Sequence, residues 1–194
     1  MANQLTGMRY TWWRGDPLPA LAPLATFHAE RITEVKLLVQ LSQSGLSAIE
    51  ARLADGNDAY VAFFQGQAVA YGWCATRREQ IGPHLAWSLT PNERSLWDFN
   101  TLYAWRGRGI YPRLLQTILQ SEVGAAEHFW IGHETGNTAS QRGIRKAGFH
   151  PTIEGVPTAA GQTQWIVRGD RVRTAADPMV KYFGGLEMLC PDAE

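Results

Sequence analysis

The chain has 194 residues, 45% of them hydrophobic and 19% charged, which suffices for a sizeable core and argues against disorder. Eighteen basic residues balance eighteen acidic ones, so no global field gathers nucleic acid or an anionic membrane. Cys74 and Cys190 form neither a disulfide framework nor a metal-ligand spacing, no apolar run has the length of a membrane span, and the first residues do not read as a signal peptide.

The expectation is therefore a single domain over 1–194, reduced and cytoplasmic, without a bound metal. Its last stretch, of about twenty residues, is left unassigned. Residues 8–14 read as a first strand, and Gly15, Asp16 and Pro17 start a loop. Over 26–43, Phe27, Ile32, Val35, Leu38 and Val39 recur at helical spacing and predict an amphipathic helix. A shorter helix over 47–53 follows. Runs 59–64 and 68–77 around Gln65-Gly66-Gln67 are a hairpin pattern. Residues 78–94 read as loop, with a short strand at 84–88. Residues 95–103 form a further strand, on which Trp97, Phe99 and Thr101 face one way and Leu96, Asp98, Asn100 and Leu102 the other. Eight tryptophans spread along the chain predict core and cleft walls rather than one surface patch.

The most informative segment is 105–120, a glycine-rich turn running into a helix whose stripe is Leu114, Leu115, Ile118 and Leu119. Pro112 suits the first helical turn, where a missing N–H costs nothing. In the turn Arg106, Gly107, Arg108, Gly109, Ile110 and Tyr111, the two glycines let successive amides converge on an anion at the positive end of the helix. The two arginines add charge where a phosphate would lie. Position 112 is proline rather than a third glycine, and no Gly-Lys-Ser/Thr follows, so dinucleotide and P-loop readings fail. A strand at 127–132 leads to a helix that starts at Thr138, with Gln141 completing a capping box, and ends before Gly148. Two β-like runs near 149–155 and 163–173 close the domain. Strand, helix and strand over 95–132 make a parallel pair with a right-handed crossover, so the fold class is mixed α/β.

The R-x-x-G-x-G/A turn at Arg106–Tyr111, between a strand and a helix, resembles the acyl-CoA signature of the GNAT superfamily of N-acetyltransferases. A second block, WIGHETGNTASQRGIRKAGF over 130–149, is similar to that family's strand, Asn-bearing turn and short helix ending in Gly-Phe. The resemblance implies a GNAT-like acyltransferase fold with two central parallel strands that splay apart, flanked by helices. It also implies acetyl-CoA, or another acyl-CoA, as co-substrate. Pantetheine would lie in the gap against backbone groups of Thr101, Leu102 and Tyr103, and Asn137 would bond the cofactor arm; read locally, Asn137 is a turn residue ahead of the Thr138 cap.

Two positions depart from the family pattern. Tyr111 stands where the family has Gly or Ala, so its ring must turn away from the diphosphate. Ile144 stands where many members carry a tyrosine that protonates the leaving thiolate, and Tyr103, Tyr111, Ser140 or water are substitutes. A thiol with pKa near 8.5 also leaves acceptably as thiolate. An alkylammonium acceptor must lose a proton before it attacks. Asp98, amid Trp97 and Phe99, is the candidate base on the expectation of burial, with Glu93, His84, His133 and Glu134 behind it.

The resulting expectation is an N-acyltransferase that moves an acetyl or short acyl group to a small-molecule primary amine by direct attack. The amine is open among amino sugars, amino acids, polyamines, antibiotics and protein amines. No nucleic acid or membrane is expected as partner, and the chain would be a monomer or homodimer, with 183–189 offering an edge strand. The alternatives are a non-catalytic acyl-CoA-binding or regulatory domain and, needing a basic face, a nucleic-acid-binding module.

Overall fold

A computed structural model of the protein describes residues 6–81, 85–159 and 163–183. Strand β1 (Gly7–Trp13) comes first, then β2 (Phe27–Ile32), helices α1 (Val35–Ser42) and α2 (Leu46–Ala54), and the hairpin of β3 (Asn57–Phe64) and β4 (Gln67–Ala75). A two-stranded ribbon, β5 (Arg78–Ile81) and β6 (Leu85–Ser88), precedes β7 (Glu93–Thr101). The crossover helix α3 (Ile110–Glu122) leads into β8 (His128–Glu134), followed by α4 (Thr138–Ala147). Strands β9 (His150–Pro157) and β10 (Thr163–Val167), helix α5 (Arg171–Ala176) and a 3-10 segment (Pro178–Phe183) complete the described chain.

Eight strands form one sheet in the order β10-β9-β1-β8-β7-β4-β3-β2. Only β7 and β8 pair in parallel, as the crossover pattern predicts; every other neighbour in this sheet is antiparallel. The N-terminal strand is internal, hydrogen-bonded to β8 on one side and β9 on the other. Helices α3 and α4 cover one face, where Leu114, Leu115, Ile118, Leu119 and Ile144 pack on Tyr10, Leu96 and Phe129. Leu38, Leu41 and Ile49 of α1 and α2 cover the other face against Val61, Tyr71 and Trp73. Beside them, Met179 and Phe183 from the C-terminal segment meet Trp87 and Trp130. Each fully buried aliphatic side chain here contributes about 1.5–3 kcal/mol of transfer free energy. None of the eight tryptophans is exposed, in line with a core and cleft-wall role.

The helix expected over 26–43 is only half a helix. Residues 27–32 form β2, each paired with a β3 residue from Phe27↔Phe64 to Ile32↔Ala59. The left-handed backbone of Thr26 (φ 62) sets the strand off, and Phe27 and Ala29 reach the α3-side core, so an open sheet edge overrides the helical spacing. Part of the stretch expected as loop, 78–94, is the ribbon β5–β6. Helix α4 is capped by Asn137, whose side chain accepts from the Ser140 amide at 3.0 Å, rather than by Thr138. In α3, Pro112 is the third residue and Gly109 the cap. Apart from Phe183, the proposed edge segment 183–189 lies outside the described residues, as do His84 and Cys190.

Two features of β7 position the site. Hydrogen-bonded pairing with β8 runs from Glu93↔His128 to Leu96↔Ile131 and stops, although β7 continues to Thr101 and β8 to Glu134. The strands therefore part beyond Leu96 and Ile131. On its other side β7 carries a bulge: Trp97 faces Trp73 and Asn100 faces Tyr71, leaving Asp98 and Phe99 opposite Gly72. Asp98 takes a left-handed conformation there (φ 47). Phe99 crosses over Gly72, where a Cβ would come within 2.0 Å of its ring. The strict alternation expected along 95–103 is thereby corrected. Leu96 and Phe99 both join the α3-side core, whereas Trp97 lies on the α1–α2 side, and Asp98 bonds Arg52 and Tyr71 of that side.

Candidate active site

The turn into α3 has the geometry its glycines suggest. Gly107 (φ 77) and Gly109 (φ 72) are both left-handed, and a Cβ at Gly107 would meet no protein atom, so backbone conformation rather than crowding calls for glycine. Ile110 and Tyr111 open α3, so their amides have no intrahelical acceptor, and none of the amides of Gly107, Arg108 or Gly109 finds one among the described residues. Arg106 and Arg108 flank this row on exposed positions, their guanidinium groups lying 5.6 Å from the Tyr103 ring and 5.2 Å from the Trp105 ring. Unclaimed amides at a helix N-terminus between two cations fit a diphosphate. Tyr111 turns aside as its size demands. Its ring fills the space above Gly143 of α4, 5.4 Å from the Phe99 ring, and its hydroxyl lies 3.3 Å from the Ser140 hydroxyl. Burial pushes the Tyr111 hydroxyl up to about 12, against the pull of the Ser140 bond. Ile144 is fully buried in the core.

The end of β7 differs from expectation. Tyr103 belongs to a 3-10 turn rather than the strand and is 86% exposed. The Leu102 amide donates to Val69 of β4, which turns it from the gap, and the Thr101 carbonyl accepts the Arg106 Nε at 2.9 Å. Asn137 is exposed, with its side-chain oxygen committed to the α4 cap.

Where the strands part, the structure places a carboxyl group absent from the sequence expectations. Glu79, on β5, is 7% exposed. It lines a cavity of about 120 Å³ together with Arg9, Ser95, Leu96, Trp130 and Gly132, at the point where the β7–β8 ladder ends. It also lines an open groove of about 540 Å³, with Arg52, Asp55, Asn57, Arg78 and Trp97. One carboxylate oxygen, Oε2, has no hydrogen-bond partner among the described residues. Burial pushes this carboxyl up to about 7, opposed by a hydrogen bond from the Ser95 side chain, the Arg9 charge and the Gln80 amide. Arg9 lies across Gly132, where a Cβ would come within 1.7 Å of its Nη1. Burial draws Arg9 down from its ordinary value, while Glu79 and Glu134 push it up. A carboxyl group poised near neutrality, half satisfied and set between a groove and a strand gap, is equipped to exchange a proton.

The other sequence candidates have different employment. Asp98 is on the exposed side of the bulge rather than buried, and its Oδ2 accepts from Arg52 at 2.6 Å. Glu93 is buried but closes its own turn, its Oε2 accepting the Thr90 amide at 2.7 Å. His133 is held between the Tyr10 hydroxyl (3.2 Å) and the Glu134 carbonyl (2.8 Å), and Glu134 is exposed. Burial, with the Glu122 charge adding to it, pushes the Cys74 thiol well up, which disqualifies it as a nucleophile. No group of three or more His, Cys, Asp or Glu side chains among the described residues has the geometry to hold a metal ion. Among the same residues no helix is long and apolar enough to cross a membrane. Alternation in 78–81 was the one signal for Glu79, since a strand there turns it away from Arg78 and Gln80.

Solved structures share this architecture. The chain is similar to a GCN5-related N-acetyltransferase from Kribbella flavida over 75% of its own length and 54% of the other, at 17% identity and a TM-score of 0.52. An acetyltransferase from the GNAT family from Colwellia psychrerythraea matches over 75% and 53%, at 15% identity and a TM-score of 0.51. A ribosomal-protein alanine N-acetyltransferase from Escherichia coli matches over 71% and 88%, at 14% identity and a TM-score of 0.50. The chain thus spans about half the length of the first two. No family model matches it, and no curated protein does. At these identities the likeness establishes the fold, which is the GNAT acyltransferase fold with its parallel central pair splayed, as the sequence resemblance implied.

Proposed function

We propose that the protein is an acyl-CoA-dependent N-acyltransferase that moves an acetyl or other short acyl group onto a primary amine. The observation that carries this reading is the juxtaposition of a parted parallel pair, a row of unclaimed amides at the start of α3, and a buried, near-neutral carboxyl where the strands part. Amides of Gly107, Arg108, Gly109, Ile110 and Tyr111 would hold the diphosphate of the coenzyme, with Arg106 and Arg108 adding charge. Arg106 would leave the Thr101 carbonyl to do so. Acyl-CoA would supply the activated thioester carbonyl in the gap between β7 and β8.

Glu79, rather than Asp98, is the base in this reading. An ammonium of pKa about 10 is mostly protonated at neutral pH, and a carboxylate near 7 takes its proton more effectively than an ordinary one. The free amine attacks the thioester carbon directly, the C–N bond forms and the C–S bond breaks. The second nitrogen proton ends on the departing thiolate, and Glu79 returns the first to solvent. Ser95 and Arg9 hold the carboxyl in place between turnovers. Tyr103, on the outer surface, drops out as proton donor, and Tyr111 and Ser140, whose hydroxyls lie 3.3 Å apart, remain as the side-chain candidates.

Calorimetry with acetyl-CoA, followed by thiol release over a panel of primary amines, tests the proposal. Heat on binding and amine-dependent release are expected. No heat with any coenzyme A thioester sinks the reading, and binding without release on any amine leaves an acyl-CoA-binding domain instead.

A further inference from the structure

The groove outside Glu79 has a charge pattern that bears on the acceptor. Four ionisable side chains line it: Arg52, Asp55, Arg78 and Glu79. Arg52 is spent, because it pairs with Asp98 at 2.6 Å and its guanidinium sits 5.2 Å from the Trp73 ring and 4.7 Å from the Trp97 ring. Asn57 is spent too, accepting from the Trp97 indole at 3.0 Å and donating to the Arg52 carbonyl at 3.0 Å. These groups make a fixed wall. Arg78 and Asp55 are different: both are exposed, and neither side chain has an ion pair or hydrogen bond among the described residues. Deeper in, Glu79 is 7% exposed and its buried Oε2 has no hydrogen-bond partner among the described residues.

One free cation beside one free anion, above a buried acid, complements a zwitterion. We propose that the acceptor is an amino-acid-like molecule, a primary amine with a carboxylate a few bonds away, whose amine descends to Glu79 while Arg78 holds its carboxylate. Strand alternation turns Arg78 and Glu79 apart, the first exposed and the second buried, yet both line this one groove, so a ligand that touches both spans from its mouth to its floor. A polyamine would answer Asp55 with its second ammonium but offer no anion to Arg78. Asp55 guides the ammonium into the groove and competes with nothing at its floor.

This inference rests on the acyl-transfer reading of the same site, and paired substrates separate the two. Thiol release is measured for alanine, β-alanine and phenylalanine, each against its own carboxamide, with wild type and Arg78→Gln, and acetyl-CoA calorimetry on both proteins monitors folding. An amide is the less basic amine and offers more of its neutral form near pH 7, so a preference for the acids would run against intrinsic availability. At least one acid is expected to exceed its amide about tenfold or more in kcat/KM, chiefly through KM, as loss of a charge-assisted pair implies. Arg78→Gln should bring that ratio close to one, and Arg78→Lys should restore part of it. Amides matching acids in the wild type, a ratio that survives Arg78→Gln, or turnover confined to amines without a carboxylate each overturn the inference while leaving acyl transfer intact. Loss of acetyl-CoA binding in the wild type removes both.

Discussion

Two carboxyl groups on opposite sides of the sheet are buried to the same degree and live differently. Glu122, at the end of α3, is 8% exposed and accepts from the Tyr60 hydroxyl at 2.7 Å and the Arg94 Nε at 2.9 Å. Arg94 in turn donates to the carbonyls of Pro91 and Glu93, so the charge is neutralised and its donors are used. Glu79 is 7% exposed, has Arg9 as its counter-charge, and keeps one oxygen without a hydrogen-bond partner among the described residues. A buried ion pair whose members are satisfied is architecture. A buried acid left half satisfied stores free energy that only a ligand or a proton can release. Burial alone does not separate the two cases; the fate of each lone pair does.

Replacing each carboxyl sharpens the contrast. Glu79→Gln should lower kcat/KM for amine acylation by about two to four orders of magnitude and abolish the rise of activity through pH 7, as read from pH–rate profiles. The variant should still melt cooperatively and bind acetyl-CoA. Glu122→Gln should do the reverse: it strands the buried Arg94 charge and costs on the order of 3 kcal/mol in urea unfolding, while the folded protein keeps the pH profile of the wild type in the proposed reaction. Equal stability loss in both variants would erase the distinction.

The two sites also differ in how they couple folding to pH. Glu79 holds its proton more tightly folded, near 7, than unfolded, near 4.5. Between those values the folded chain carries the extra proton, so this contribution is fully present below pH 4.5 and is lost as pH rises through 7. Wild type should therefore fall relative to Glu79→Gln by about 3 kcal/mol across that window, measured as the difference in unfolding free energy. A flat difference would mean an ordinary carboxyl. Smallest in effect, Asn137→Ala should cost about 1 kcal/mol through the α4 cap and leave acetyl-CoA affinity nearly unchanged. A tenfold loss of affinity would return Asn137 to the coenzyme.

The parts of this molecule that were legible in its sequence are those whose signal is local. Gly107 and Gly109 announce a backbone that only glycine adopts easily, and Leu114, Leu115, Ile118 and Leu119 announce a helix face. Gln65-Gly66 mark a hairpin turn with both residues left-handed, φ 53 and 74. What was misread depends on partners distant in the chain. The helical spacing of Phe27 and Ile32 yields to an edge of β3, and the bulge at Asp98 puts the bulk of Phe99 over Gly72, which no pattern within 95–103 reveals. Glu79 was missed for the same reason. Flanked by Arg77, Arg78 and Gln80, it looks like surface, and only the packing of the β5–β6 ribbon near the β7–β8 fork buries it.

The place of β1 has a bearing on how the chain matures. Gly7–Trp13 is synthesised before its partners, His128–Glu134 and His150–Pro157, both of which lie more than a hundred residues downstream. Until those segments emerge, an apolar ribbon bearing Tyr10 and Trp12 waits without neighbours, a long-range closure of the kind that slows folding and invites chaperones or self-association. Because that ribbon also brings Arg9 to the acid at the fork, the fork is complete only once these distant segments have been sewn together.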